Sequence, residues 1–255
     1  MCQLFGVSSP EKLEVNAYLK EFFSHSSKHP HGWGIAIFYG DAVNLEKEPL
    51  PAWQSGYLRN RLSDPILVSS MIAHIRQASR GGLAYANCHP FVGRDDYGRA
   101  WTLAHNGTLF APPQLSQYSA EQRGGTDSVR ILLHLLHSID LAEREKGRPL
   151  EAEERFTVAD GLISELARDN KLNLLFYDGE LMYVHSNKPG TLYCKYDGPA
   201  LVFATVPLDG GDWSPLPLSQ LLAFREGQLL FSGTAHGHDY LGPDGAPLDL
   251  EWSQL

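Results

Sequence analysis

Two residue groups in this chain have the types and spacing for covalent chemistry. The first is a thiol at position 2. An initiating methionine is ordinarily trimmed when a small residue follows it, which would leave Cys2 at the mature N-terminus. A terminal cysteine carries a thiol and a free α-amine on one residue, and an amine with a pKa of about 8 accepts a proton at neutral pH. Nucleophile and general base then come from the same place. A cysteine at this position can equally be an accident of sequence. The second group is Asn106-Gly107, within LAHNGTL at 103–109. After an apolar run this dipeptide ordinarily marks a turn. It also offers a side-chain amide and a following backbone N–H that can converge on one oxygen, and such an oxyanion donor contributes about 3 kcal/mol.

Other residues could hold a substrate. Arg76 closes the apolar run at 65–76, and arginine is rarely buried without a partner. Its guanidinium can fork onto a substrate carboxylate, or it can pair with one of the chain's 30 acidic residues. Ser79, just beyond it, can add a hydroxyl to the same carboxylate. Asp127, in GGTDS at 124–128, stands at a helix start, where N-capping is the ordinary role and holding an ammonium the functional one. Arg76 and Asp127 together would read the two charged ends of an α-amino acid. The 11 histidines suggest a competing metal chemistry, through the pairs His29/His31 and His236/His238. His74, His89 and His105 lie between them. Neither pair has an Asp/Glu framework or an H-E-x-x-H pattern, so no metal is expected. A serine hydrolase is disfavoured because no G-x-S-x-G elbow is present.

These residues need a scaffold, and apolar periodicity outlines one. Residues 2–7 read as a short strand. Residues 10–26 read as a helix opening on Pro10, with Leu13, Ala17, Leu19, Phe22 and Phe23 at helical spacing. Residues 32–48 form a hairpin turning near Gly40-Asp41, and 51–62 a short helix. A buried strand is expected at 65–76, and another at 99–107 running into a turn at Asn106-Gly107. Helices follow at 126–145, capped by Thr126 or Asp127, and at 151–170. Strands close the chain at 171–178, 179–186, 191–197, 200–207 and 221–233, with a hairpin signal at Asp178-Gly179. Residues 207–219 read as a loop. Strands, a helical pair, then strands again predict an α+β layered sandwich rather than βαβ units, with residues 1–255 as one domain.

The bulk numbers agree with an ordinary soluble globular protein. Apolar residues are 43% and charged residues 20% of 255. A formal net charge of −9 without clustered Lys or Arg argues against nucleic-acid binding. The densest charged run, at 141–155, has mixed signs and reads as solvated helix ends. No run of about 18 apolar residues exists to cross a membrane, and the N-terminus lacks signal-peptide features. Three cysteines do not make a disulfide framework, so a reducing cytoplasm is expected.

Order and spacing say more than any single group. MCQLFG at 1–6, HGWGIAIF at 31–38, HIRQAS at 74–79, NCHPF at 87–91, LAHNGTL at 103–109 and GGTDS at 124–128 together resemble the class II glutamine amidotransferases. FATVPLDGGDWSPLP at 203–217 is similar to a segment of the smaller stand-alone members, the YafJ- and EgtC-type group, which lack a synthase domain. The resemblance spans nearly the whole chain. It implies an N-terminal-nucleophile (Ntn) hydrolase fold, a four-layer αββα sandwich of two antiparallel sheets. It also implies roles. Cys2 is the nucleophile, and Asn106 and Gly107 form the oxyanion pair. Arg76 and Ser79 hold the glutamine α-carboxylate, Asp127 the α-amine, and Asn87 and His89 border the pocket in support. Trp33, between Gly32 and Gly34, is expected in the core. The implied reaction runs through a γ-glutamyl thioester, with no metal or organic cofactor, on glutamine or another γ-glutamyl compound. No chain is left for a synthase domain, so ammonia goes to a separate acceptor subunit or is simply released. The alternatives are a metal-dependent hydrolase using the His-x-His pairs, and a non-catalytic subunit that binds γ-glutamyl metabolites.

Overall fold

The computed structural model describes residues 2–243. In chain order the strands are β1 (Gln3–Glu14), β2 (Trp33–Tyr39), β3 (Ala42–Glu48), β4 (Leu67–Ile75), β5 (Phe91–Arg94), β6 (Ala100–Thr108), β7 (Lys171–Tyr177), β8 (Met182–Ser186), β9 (Tyr193–Asp197), β10 (Ala200–Ala204), β11 (Ser214–Pro215), β12 (Gln220–Arg225) and β13 (Gln228–Ser232). The helices are α1 (Asn16–Ser24), α2 (Gly56–Arg61), α3 (Pro113–Ser116), α4 (Val129–Lys146) and α5 (Ala152–Ala167). One sheet has the order β11-β9-β10-β1-β4-β2-β3, the other β13-β12-β8-β7-β6-β5. Every pairing in both is antiparallel.

Side chains alternate across a strand, and here both faces are apolar, so each sheet is covered on two sides. Leu4, Ala36, Ile72, Ala104, Leu175, Val184, Phe203 and Leu222 meet between the sheets. On the outer face of the seven-stranded sheet, Phe5, Val7, Ile35 and Met71 pack on Leu19, Phe22 and Phe23 of α1. On the outer face of the six-stranded sheet, Leu103, Leu174 and Tyr183 pack on Ile131 and Leu135 of α4 and Phe156 and Ile163 of α5. Three apolar cores between four layers make the expected αββα sandwich. Trp33 is fully buried, as expected.

Several local expectations are corrected. Residues 10–14 are strand, not helix: β1 passes a register shift between Ser8 and Leu13 and then pairs Leu13 with Val68 and Glu14 with Leu67. Pro10 is tolerated because the ladder is already broken there, and α1 starts only at Asn16. Asn106-Gly107 is not a turn. It lies inside β6, opposite Asn173 and Leu172 of β7, where sheet pairing overrides local turn preference. Ser128, not Thr126 or Asp127, occupies the α4 N-cap, and no side chain caps it. The charged run at 141–155 is not all solvated: Arg155 is buried and paired with Asp178 at 2.6 Å and Glu180 at 2.6 Å. The loop at 207–219 contributes a two-residue edge strand, β11. The hairpins at Gly40-Asp41 and Asp178-Gly179 form as expected.

Candidate active site

Strand register seats the thiol. β1 and β4 pair Gln3 with Ile75, so Cys2 falls beside Arg76 and Gln77. The Gln77 backbone N–H donates to Cys2 Sγ at 3.3 Å, and the thiol reaches the Gln77 carbonyl at 3.4 Å. Burial raises the thiol pKa, and the Gln77 backbone and the Arg76 charge only partly offset it. The resting group is therefore the thiol, and a base must remove its proton before it can attack.

The alternation that turns Leu4, Ile72 and Ala104 into the inter-sheet core carries Cys2, His74, Arg76 and Asn106 to the same face at one end of the sandwich. Asn106 is fully buried. Its side-chain amide reaches Thr205 Oγ1 at 3.5 Å, and the other end of that amide has no hydrogen-bond partner. Thr205 Oγ1 also accepts the Leu4 N–H at 2.8 Å, and the Thr205 N–H donates to the Leu4 carbonyl at 3.0 Å. Thr205 thus links Asn106 to the strand that carries the thiol. At Gly107 only glycine fits: a Cβ there would lie 1.9 Å from the Lys171 carbonyl oxygen.

A neutral histidine network underlies this end. The rings of His74 and His89 meet with centroids 4.2 Å apart, tilted by 37°. His89 Nδ1 accepts the His105 backbone N–H at 3.3 Å, and His105 spans Ser128 Oγ at 3.0 Å and the Lys171 carbonyl at 3.1 Å. Burial holds His105 down to about 4 and keeps His74 and His89 well below the usual imidazole range.

Cys2, Arg76, Ser79, Gly107 and Asp127 line one cleft, together with His89, His105, Arg80 and Leu109, around about 570 Å³ of space that includes its open mouth. Of the residues given roles above, Asn106 and Asn87 do not line it, and Asn106 is fully buried. Arg76 is buried without using an acidic partner for its terminal nitrogens. These donate to the carbonyls of Arg80 at 2.7 Å, Gly81 at 3.1 Å, Gly82 at 3.0 Å and His31 at 3.4 Å. Asp127, just ahead of α4, is mostly buried and faces Arg80, with Arg80 Nε 3.2 Å from Asp127 Oδ2. Asn87 proves to be a tie between loops: Oδ1 accepts the N–H of Gly125 at 2.8 Å and of Thr126 at 3.1 Å, while Nδ2 donates to the Gly82 carbonyl at 2.9 Å. Thr205, Gln77 and Arg80 were not singled out from the sequence. Thr205 lies in a segment flagged only for its likeness to the stand-alone group, and Gln77 acts through its backbone, which residue type does not disclose.

The His-x-His pairs serve as local structure. His31 Nδ1 accepts the Ala78 N–H at 2.8 Å, and His236 meets His185 at 3.0 Å between Nε2 atoms. Among the described residues no three or more His, Cys, Asp or Glu side chains are grouped to hold a metal.

The chain as a whole is similar to known proteins. Residues 1–196 match the family model described as glutamine amidotransferases class-II. YafJ of Escherichia coli K12, described as a candidate glutamine amidotransferase, is 32% identical over 188 residues, covering 72% of each chain. An uncharacterized protein of Methanocaldococcus jannaschii, MJ1515, is 28% identical over 91% of this chain and 71% of its own. Among solved structures, a predicted glutamine amidotransferase from Pseudomonas aeruginosa superposes with a TM-score of 0.60 at 22% identity, over 90% of this chain and all of that one. The glutamine phosphoribosylpyrophosphate amidotransferase of Bacillus subtilis superposes with a TM-score of 0.66 at 21% identity, over 91% of this chain and 48% of that one.

Proposed function

The chain belongs to the class II glutamine amidotransferases, and from that premise we propose that it cleaves the side-chain amide of glutamine, or of another γ-glutamyl compound, through a thioester on Cys2. The observation that carries this reading is the cleft itself: a backbone-clamped thiol, the Gly107 strand edge and a mostly buried carboxylate share one cavity.

With Met1 removed, the Cys2 α-amine accepts the thiol proton, directly or through a water, and the thiolate attacks the amide carbon. Gly107 N–H and the Asn106 side chain receive the oxyanion. A half-turn of the Asn106 amide lets Oδ1 accept the Thr205 hydroxyl proton and presents Nδ2, a donor, at the unpartnered end. The tetrahedral intermediate collapses as the ammonium returns its proton to the leaving nitrogen, so ammonia or an amine departs and the γ-glutamyl thioester remains. Water, deprotonated by the same amine, then releases glutamate and the thiol. Arg76, through its charge and its remaining Nε–H, and Ser79 hold the substrate α-carboxylate, and Asp127 holds its α-ammonium. All of these groups lie within residues 1–255 as a single amidotransferase domain, and the ammonia passes to a separate acceptor subunit or is released to solvent. Among the described residues no helix is long and apolar enough to cross a membrane. Free Cys2, Cys88 and Cys194 suit a reducing compartment such as the cytoplasm.

The test is intact-mass analysis after incubation with an electrophilic glutamine analogue, beside a turnover screen of γ-glutamyl compounds. One adduct on a chain beginning at Cys2, with turnover abolished in Cys2→Ala, is expected. Full turnover by Cys2→Ala, or by protein that retains Met1, overturns the scheme.

A further inference from the structure

Arg80 lines the cleft but has no task in the scheme above. Its Nε lies 3.2 Å from Asp127 Oδ2, with the Arg80 side chain 59% exposed and that of Asp127 20% exposed. Burial raises the Asp127 carboxyl pKa, and among the opposing influences Arg80 is the largest. Arg80 is therefore the largest single cationic influence on this carboxylate.

The same stretch of chain also occupies the other anchor. Through the carbonyls of residues 80–82 and of His31, four of the five Arg76 N–H donors are in use. The one left, Nε–H, cannot make the two parallel bonds of a guanidinium–carboxylate fork. The stretch is held by design of its neighbours. Gly81 takes φ +75° and packs so closely that a Cβ would lie 2.8 Å from Thr126 N, and Asn87 bonds to both sides. Carbonyl oxygens thus sit on Arg76 and a guanidinium sits on Asp127, the charge pattern of an amino-acid head group.

We propose that Arg80 is a built-in competitor of the substrate's α-ammonium for Asp127, and so sets the affinity of the cleft for amino-acid head groups. This rests on the reading that Asp127 holds that ammonium. A substrate ammonium must displace Arg80 before it reaches the carboxylate. A ligand without an ammonium leaves the Arg80–Asp127 pair alone. Half of this pair is exposed, so the competition is worth only a few-fold in affinity.

Glutamine kinetics on Arg80→Ala and Arg80→Lys, with glutaramate (glutamine lacking its α-amine) as a competitive inhibitor, test this. Arg80→Ala should lower the glutamine KM about two- to fivefold, with the change in KM rather than kcat. Arg80→Lys, which keeps a cation, should return KM toward wild type. The inhibition constant of glutaramate should not fall. Equilibrium binding of L-glutamate to Cys2→Ala and Cys2→Ala/Arg80→Ala makes the same comparison without turnover. An unchanged or raised KM in Arg80→Ala overturns the proposal, as does an equal gain for glutaramate, which would mean a wider cleft rather than a freed anchor. Asp127→Asn separates the two levels of inference. If it raises the glutamine KM while Arg80→Ala does not lower it, the competitor role fails and the anchor stands. If Asp127→Asn leaves KM unmoved, the anchor fails and the competitor role fails with it.

Discussion

The two ends of the cleft are built from different materials. At the nucleophile end the parts are held by sheet register and backbone: Cys2 by its place opposite β4 and the Gln77 main chain, Asn106 and Gly107 by β6, Thr205 by its exchange with Leu4. At the head-group end they are held by loops and side chains: Arg80 against Asp127, Arg76 against carbonyls, Asn87 between two glycine-rich turns. Under the proposed reaction, the difference follows from what each end has to do. Bond cleavage needs donors fixed to within a fraction of an ångström before the charge develops, and paired strands provide that at no cost in reorganisation. A head group must enter and leave, so its partners are groups that can exchange. Changes at the first end should therefore act on kcat, and changes at the second on KM.

The largest expected effect comes from separating thiol and amine. One alanine inserted between Met1 and Cys2 keeps the thiol and moves the α-amine away. Loss of the general base should lower kcat by about 10²- to 10⁴-fold, read by steady-state turnover; near-normal turnover would place the base elsewhere. Asn106→Ala should lower kcat by about 10²- to 10³-fold with little change in KM, and a change confined to KM would break the contrast between the ends. Acid should destabilise the fold through its buried neutral histidines. Folded His105 titrates at about 4 against 6.5 for the unperturbed group. Between those values the unfolded chain binds a proton that the folded one does not. Stability then falls as pH drops through the window, by about 1.4 kcal/mol per pH unit for each such histidine, and the His105 share levels off below about 4. Denaturant melts from pH 7 to pH 4 measure the slope, and His105→Gln should reduce it. The smallest effect is at Thr205. Thr205→Val removes the hydroxyl that orients Asn106, so kcat should fall about tenfold, the scale of one net hydrogen bond, and Thr205→Ser should restore it. Equal losses in both variants would show that the methyl, not the hydroxyl, matters.

Thr205 also shows where a sequence stops being legible. Its segment is a recognisable string, yet its task is a contact with residues 4 and 106, and no spacing rule joins those positions. Arg80 and Asp127 are likewise 47 residues apart (127 minus 80) and meet only because Gly81 and Asn87 bring two loops together. The helix expected from Pro10 and the turn expected at Asn106-Gly107 erred for a related reason. In each, local preference was correct for an isolated peptide, but a neighbouring strand supplied hydrogen bonds that outweighed it.

By itself the sequence determined the chemistry available and an α+β layered order; the four-layer plan came only with the family resemblance. Residue type and order decide that a terminal cysteine can be nucleophile and base, that an arginine and an aspartate can read an amino acid, and that strands around a helical pair make an α+β sandwich. Tertiary structure alone decided which of these groups meet and what occupies them at rest. It buried Asn106 against a threonine, spent four of the Arg76 donors on carbonyls, and set Arg80 on Asp127. Hydrogen bonds and ion pairs act over a few ångströms of space, and distance along the chain does not specify distance through it.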